Sequence, residues 1–167
     1  MTEASATLRN ETPSMTIALG QALPAFTAQT TGGAMRSADY IGKTLVLYFY
    51  PKDSTPGCTT ESQNFRDHHD AFVEAGARIF GISRDSLKSH GKFKADLELP
   101  FELISDPDEA LCAAFGVMKM KNMYGKQVRG VDRSTFVIDA NGILLRKWRG
   151  VKVTGHVPEV LEYVESL

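Results

Sequence analysis

An α/β fold with a central mixed β-sheet flanked by helices is what this sequence predicts, on three observations. Short apolar runs rich in β-branched and aromatic residues, Thr44 to Tyr50 and Ala77 to Ser83, read as strands covered on both faces. Helical stretches alternate with them, which implies right-handed crossovers and a largely parallel core. Near the C-terminus Asn141-Gly142 separates the apolar runs 134–138 and 143–148, a strong hairpin signal, so the sheet acquires an antiparallel edge.

A chain of 167 residues suits one domain and is long enough to bury a core without disulfide staples. Its 19 basic and 20 acidic residues leave a formal net charge of −1, so no whole-chain field argues for nucleic acid or an anionic membrane. The longest apolar stretches are strand-length, short of the roughly 20 residues a membrane helix needs. No basic-then-apolar leader opens the chain, so secretion is not expected. Two distant cysteines, Cys58 and Cys112, form neither a disulfide framework nor a zinc-ligand spacing. A reducing, cytoplasmic setting is the expectation, and there catalytic use of a thiol is plausible.

Taken in order, residues 1–15 are rich in Ser, Thr, Ala and Glu without periodicity and read as a flexible leader, with the folded domain over 16–167. Thr16 to Thr27 suggests an extended entry, Thr31-Gly32-Gly33 a turn, and Ala34 to Ser37 the returning arm of a small hairpin. Ala38 to Lys43 forms a short helical turn into the strand Thr44–Tyr50, which Pro51 ends. Beyond the loop, Thr55 suits an N-cap, Pro56 the first helical position, and Cys58 then falls in the first turn. That helix is expected to run through Phe65, His69 and Phe72 to a left-handed stop at Gly76. After the strand Ala77–Ser83, Asp85 or Ser86 caps a helix with Leu87, His90, Phe93 and Leu97 on one face. Phe101 to Ile104 is a short strand, and Asp106-Pro107-Asp108 opens a helix through Leu111, Cys112 and Phe115, stopped by Gly116. The stretch 118–129 collects methionines, lysines and Arg129 with no clear period, and reads as a loop: either a rim or partner surface, or an exposed segment patching a core edge. Val157-Pro158-Glu159 begins a closing helix with Val160, Leu161, Val164 and Leu167 inward.

The chemistry concentrates at Cys58. A thiol in the first turn of a helix meets backbone N–H groups without intrahelical partners and the positive end of the macrodipole, both of which favour its ionised form. Its neighbours Lys52, Asp53, Ser54, Thr55, Thr59 and Thr60 make the loop polar, which argues for reactivity over packing. His68 and His69 lie about three turns along the helix, too far to serve as a base for Cys58. Cys112 lies in an apolar helix stripe and reads as a small buried hydrophobe.

Pro51-Lys52-Asp53-Ser54-Thr55-Pro56-Gly57-Cys58 matches the P-x-x-x-T-x-x-C signature of the peroxiredoxins. With Tyr48-Phe49-Tyr50 before it and Phe65-Arg66-Asp67 after it, the chain resembles the bacterioferritin comigratory protein (peroxiredoxin Q) subfamily. The likeness continues through Gly81-Ile82-Ser83, Ser105-Asp106, Phe115-Gly116-Val117, Gly125-Lys126 and Arg133 to Asp139, and covers the chain from about Thr16 onward. It implies a thioredoxin-like fold and a thiol-dependent peroxidase, acting on hydrogen peroxide and organic hydroperoxides without metal, haem or flavin. Carried across, Cys58 would be the peroxidatic nucleophile that becomes a sulfenic acid. Thr55 would offer its hydroxyl to the peroxide, Pro51 would screen the thiolate from water, and Arg133 would fold back onto the site. Glu61 ranks behind them as support, in helical turns where a carboxylate is stabilised in any case. Where many subfamily members carry a resolving cysteine, this chain has Gln63, and the other such position, around Lys94, has none. A one-cysteine cycle is therefore expected, recycled by an external thiol such as thioredoxin, glutaredoxin or glutathione, in a monomer. The alternatives are a two-cysteine cycle with Cys112 resolving, and a peroxide sensor without multiple turnover.

Overall fold

A computed structural model describes residues 16–167, so the leader expected over residues 1–15 lies outside the described residues. The chain first forms a hairpin of β1 (Thr27–Thr30) and β2 (Gly33–Arg36), then a 3₁₀ turn over Ser37–Tyr40 leading into β3 (Thr44–Phe49). Next come α1 (Pro56–Asp67), α2 (His69–Glu74), β4 (Ala77–Ser83), α3 (Leu87–Leu97) and β5 (Glu102–Ser105). The remainder is α4 (Ala110–Ala114), β6 (Met118–Met123), β7 (Lys126–Val131), β8 (Ser134–Ile138), β9 (Leu144–Trp148) and α5 (His156–Glu165).

Seven strands make one sheet in the order β2-β1-β5-β4-β3-β8-β9. β3, β4 and β5 are parallel, as the helical crossovers require, while β8 pairs antiparallel with β3 and β9 antiparallel with β8. Both the parallel core and the antiparallel edge agree with expectation. The hairpin at the C-terminal edge turns at Gly142 (φ +82°), with the Asp139 carboxylate accepting the N–H groups of Asn141 and Ile143.

Because strand side chains alternate between faces, β3 divides the core. Leu45, Leu47 and Phe49 join Phe80, Ile82, Ile104, Cys112, Phe115 and Phe136 in one cluster. Val46, Tyr48 and Tyr50 join Cys58, Phe65, Phe72, Phe93, Leu103 and Val160 in the other. Gly81 allows Tyr48 its place: a Cβ there would stand 2.7 Å from the Tyr48 ring and 2.8 Å from Leu103. The ring stacks on Phe65 of α1 at 4.4 Å, and its hydroxyl pairs with Ser62 at 2.9 Å, which seats α1 on the sheet.

Two local expectations are corrected. The single helix expected to run to Gly76 breaks at His68 (φ −104°, ψ 5°), whose Nδ1 donates to the Asn64 carbonyl at 2.8 Å and competes for a helix acceptor. Gly76 still stops the second piece, at φ +84°. The stretch read as an irregular loop is a two-stranded ribbon, β6 with β7, turning at Tyr124 (φ +54°) and Gly125 (φ +79°). A ribbon paired only with itself buries little of either face, so no hydrophobic alternation marks it.

Candidate functional site

β3 delivers the chain to the carboxyl edge of the parallel strands, where ligands gather in open α/β sheets, and the loop 51–55 turns it into α1. Thr55 takes the N-cap position in extended conformation (φ −92°, ψ 155°) and Pro56 the first helical position. Thr55 does not cap with its side chain; its hydroxyl donates to the Lys52 carbonyl at 2.8 Å. The N-terminal amides of α1 therefore have no side-chain cap, and Cys58 sits among them. Pro51, at the end of the strand, is partly exposed.

Cys58 is fully buried. Arg133, 75 residues away at the start of β8, reaches it: Nη2 donates to Sγ at 3.4 Å, and Nη1 donates to Glu61 Oε1 at 2.7 Å. Gly57 makes the approach possible, since a Cβ there would meet Nη2 at 3.1 Å. Burial opposes the charge on Arg133, but Glu61 and Cys58 hold its pKa above the ordinary guanidinium value. Glu61, the Arg133 partner, is buried completely, and burial pushes its pKa up to about 7 although Arg133 pulls the other way. Its second oxygen, Oε2, is buried without a hydrogen-bond partner.

Cys112 is elsewhere. Its N–H donates to Asp106 Oδ2 at 2.8 Å in the opposite core cluster, and burial, then the Asp106 carboxylate, push its thiol well above the ordinary range. His68 and His69 are partly buried on α1–α2 and touch nothing in the site.

Beside the site lies a group that sequence reasoning did not assemble. Asp53, from the loop, and His90, from the apolar stripe of α3, are both buried and meet at 2.8 Å, with Tyr50, Ser89 and Asp85 around them. The signal available was a histidine on a buried helix face, which needs a partner. Ligand atoms of Asp53, Asp85 and His90 lie within 4.8 Å of one another, but hydrogen bonds within the group already occupy the inward-facing atoms. The arrangement is a hydrogen-bonded network that joins the loop 51–55 to α3.

The sheet order, with a cysteine opening the first crossover helix and a guanidinium on its sulfur, defines a thioredoxin-like thiol enzyme. Comparison with known proteins agrees. A family model described as AhpC/TSA family matches residues 19–147, and the chain belongs to that family. It is 48% identical to Peroxiredoxin Bcp of Bacillus subtilis over 92% of this chain and 98% of that one. It is 54% identical to Peroxiredoxin Bcp of Xanthomonas campestris over 76% of this chain and 79% of that one. Among solved structures, Peroxiredoxin Q of Xanthomonas campestris superimposes with a TM-score of 0.81 at 50% identity, covering 84% of this chain and 90% of that one. PrxQ of Xylella fastidiosa gives 0.86 at 41%, covering 90% and 96%. The activity that goes with this membership is thiol-dependent peroxide reduction.

Proposed function

We propose that Cys58 is the peroxidatic cysteine and that Thr55, Pro51 and Arg133 complete the site. The observation that carries this reading is the Arg133 guanidinium, which donates at once to Cys58 Sγ and to Glu61. The Cys58 thiolate attacks one peroxide oxygen; the S–O bond forms as the O–O bond breaks, leaving a sulfenic acid and an alkoxide or hydroxide that takes up a proton. Charge moves from sulfur to the leaving oxygen. Preorganised donors at the place where charge develops, here Arg133 and the free amides of α1, lower that barrier, and the Thr55 hydroxyl joins them on turning from the Lys52 carbonyl to the peroxide. Pro51 shields the sulfur side of the loop from bulk water.

Organic hydroperoxides and hydrogen peroxide are the proposed substrates. Supporting this, a structure of the Xanthomonas campestris bacterioferritin comigratory protein, 49% identical over 84% of this chain, concerns alkyl peroxide reduction activity. An external thiol then displaces water from the sulfenic acid, and a second thiol releases Cys58 from the mixed disulfide. Thioredoxin, glutaredoxin or glutathione would fill that role, in a monomer of the cytoplasm. The one-cysteine cycle is favoured because Cys112 packs in the other core cluster. Among the described residues no helix is long and apolar enough to cross a membrane.

The test is sustained peroxide consumption with a thiol supply. The Cys58→Ser protein should fold and consume none, and a variant that keeps most of the activity would overturn the assignment.

A further inference from the structure

The peroxide chemistry leaves the buried cluster around Asp53 unused. Asp53 lies midway along the loop 51–55, and its carboxylate accepts three hydrogen bonds: from the Tyr50 hydroxyl at 2.7 Å, the Ser89 hydroxyl at 2.8 Å and His90 Nδ1 at 2.8 Å. Its N–H donates to Asp85 Oδ2 at 2.9 Å. On the far side of the ring, His90 Nε2 donates to the Ile104 carbonyl at 2.9 Å. Both ring nitrogens thus face acceptors, which ties α3 to the loop on one side and to β5 on the other. Burial works against the Asp53 charge, yet its donors hold the carboxyl below its ordinary pKa. The next residue, Ser54, is held at φ +65°, a left-handed conformation costly for a residue with a side chain. Such strain persists only where the surroundings fix the backbone, and this cluster fixes it from α3 and from the ends of β4 and β5.

The loop so fixed leads directly into the first turn of α1, which holds the reactive atom. Cys58 has no exposed surface, and an attacking thiol must approach its sulfenic sulfur directly. A thiol carried by a second molecule cannot do so until the loop and the first turn of α1 move. We propose that the Asp53–His90 pair is a clamp that holds the loop 51–55 closed over Cys58. It thereby sets the balance between the closed arrangement that reduces peroxide and an opened one that admits the external thiol. Both residues are positioning residues; neither touches the sulfur. The proposal rests on Cys58 being the peroxidatic cysteine.

The experiment measures two single-turnover rates: oxidation of Cys58 by hydrogen peroxide, and reduction of the preformed Cys58 sulfenic acid by glutathione. Asp53→Ala and His90→Leu should each slow the first about tenfold and speed the second severalfold, a divergence that simple loss of stability does not produce. The double variant should resemble either single one, because both remove the same contact. Asp53→Asn should stay near the parent, since an amide can accept from Tyr50 and still hydrogen-bond the His90 ring. Should the alanine variant fail to fold, Ser89→Ala, which removes one donor to Asp53, should move both rates in the same opposed directions by about twofold. Rates that stay unchanged, or that fall together, would overturn the clamp. A parent protein forming no sulfenic acid on Cys58 would instead overturn the peroxidase reading beneath it.

Discussion

Cys58 and Cys112 lie against opposite faces of the central sheet, one packed with Tyr48 and Phe65, the other with Phe49 and Phe115. A disulfide requires Cα atoms within about 7 Å, so joining them would mean dismantling the core between them. Cys112→Ser should therefore leave thiol-supported turnover unchanged. It should lower stability by about 1–2 kcal/mol, the cost of placing a hydroxyl in an apolar site. Steady-state assays beside a urea titration check both, and loss of recycling in the variant would make Cys112 the resolving partner.

The closeness of Arg133 to Gly57 makes a geometric prediction. In Gly57→Ala the new methyl group starts 3.1 Å from Nη2, so the guanidinium must retreat from Sγ by a few tenths of an ångström. The second-order rate with peroxide should fall about 3- to 10-fold while the melting temperature barely moves. Arg133→Ala removes the donor outright and should cost about 10²- to 10³-fold, in line with removal of one preorganised donor elsewhere. Stopped-flow measurement of both variants gives the order; equal rates for Gly57→Ala and the parent would remove Arg133 from the reacting atoms.

Glu61 links the site to stability. Its pKa stands at about 7 in the folded protein against an ordinary 4.5, so the folded state binds the extra proton between those values. The contribution is present below pH 4.5 and is lost as pH rises through 7, amounting to about 3 kcal/mol. His156, buried with Nε2 on Thr135, has the opposite sign: burial lowers its pKa to about 4 from 6.5, so its effect is to reduce stability as pH falls through that interval. Glu61→Gln should leave only a rise in stability with pH across pH 4.5–7. Urea unfolding at several pH values measures it, and an unchanged profile would contradict the assignment of that proton to Glu61.

How much of this was legible in the sequence depended on distance along the chain. The strand, loop and helix around Cys58 were readable because each signal is local: β-branched residues, Pro51, then Pro56 at the first helical position. Asn141-Gly142 announced the C-terminal hairpin for the same reason. Arg133 reaches Cys58 across 75 residues, and only the likeness to a family suggested it. Asp53 and His90 are 37 residues apart, and nothing local says that a loop aspartate will meet a histidine on an apolar helix face. The β6–β7 ribbon escaped because its exposed faces carry no alternation, and the break at His68 because a side chain, not a glycine or proline, makes it.

The central claim is that peroxide oxidises Cys58 and that the oxidised sulfur waits for a thiol from outside the chain. Its most direct measurement is intact mass and peptide mapping after one equivalent of peroxide, with a sulfenic-acid trap present and reducing agent removed. A trapped adduct on Cys58 with Cys112 free is the expected result. A Cys58–Cys112 disulfide, or a trap adduct on Cys112 with Cys58 unmodified, would contradict it.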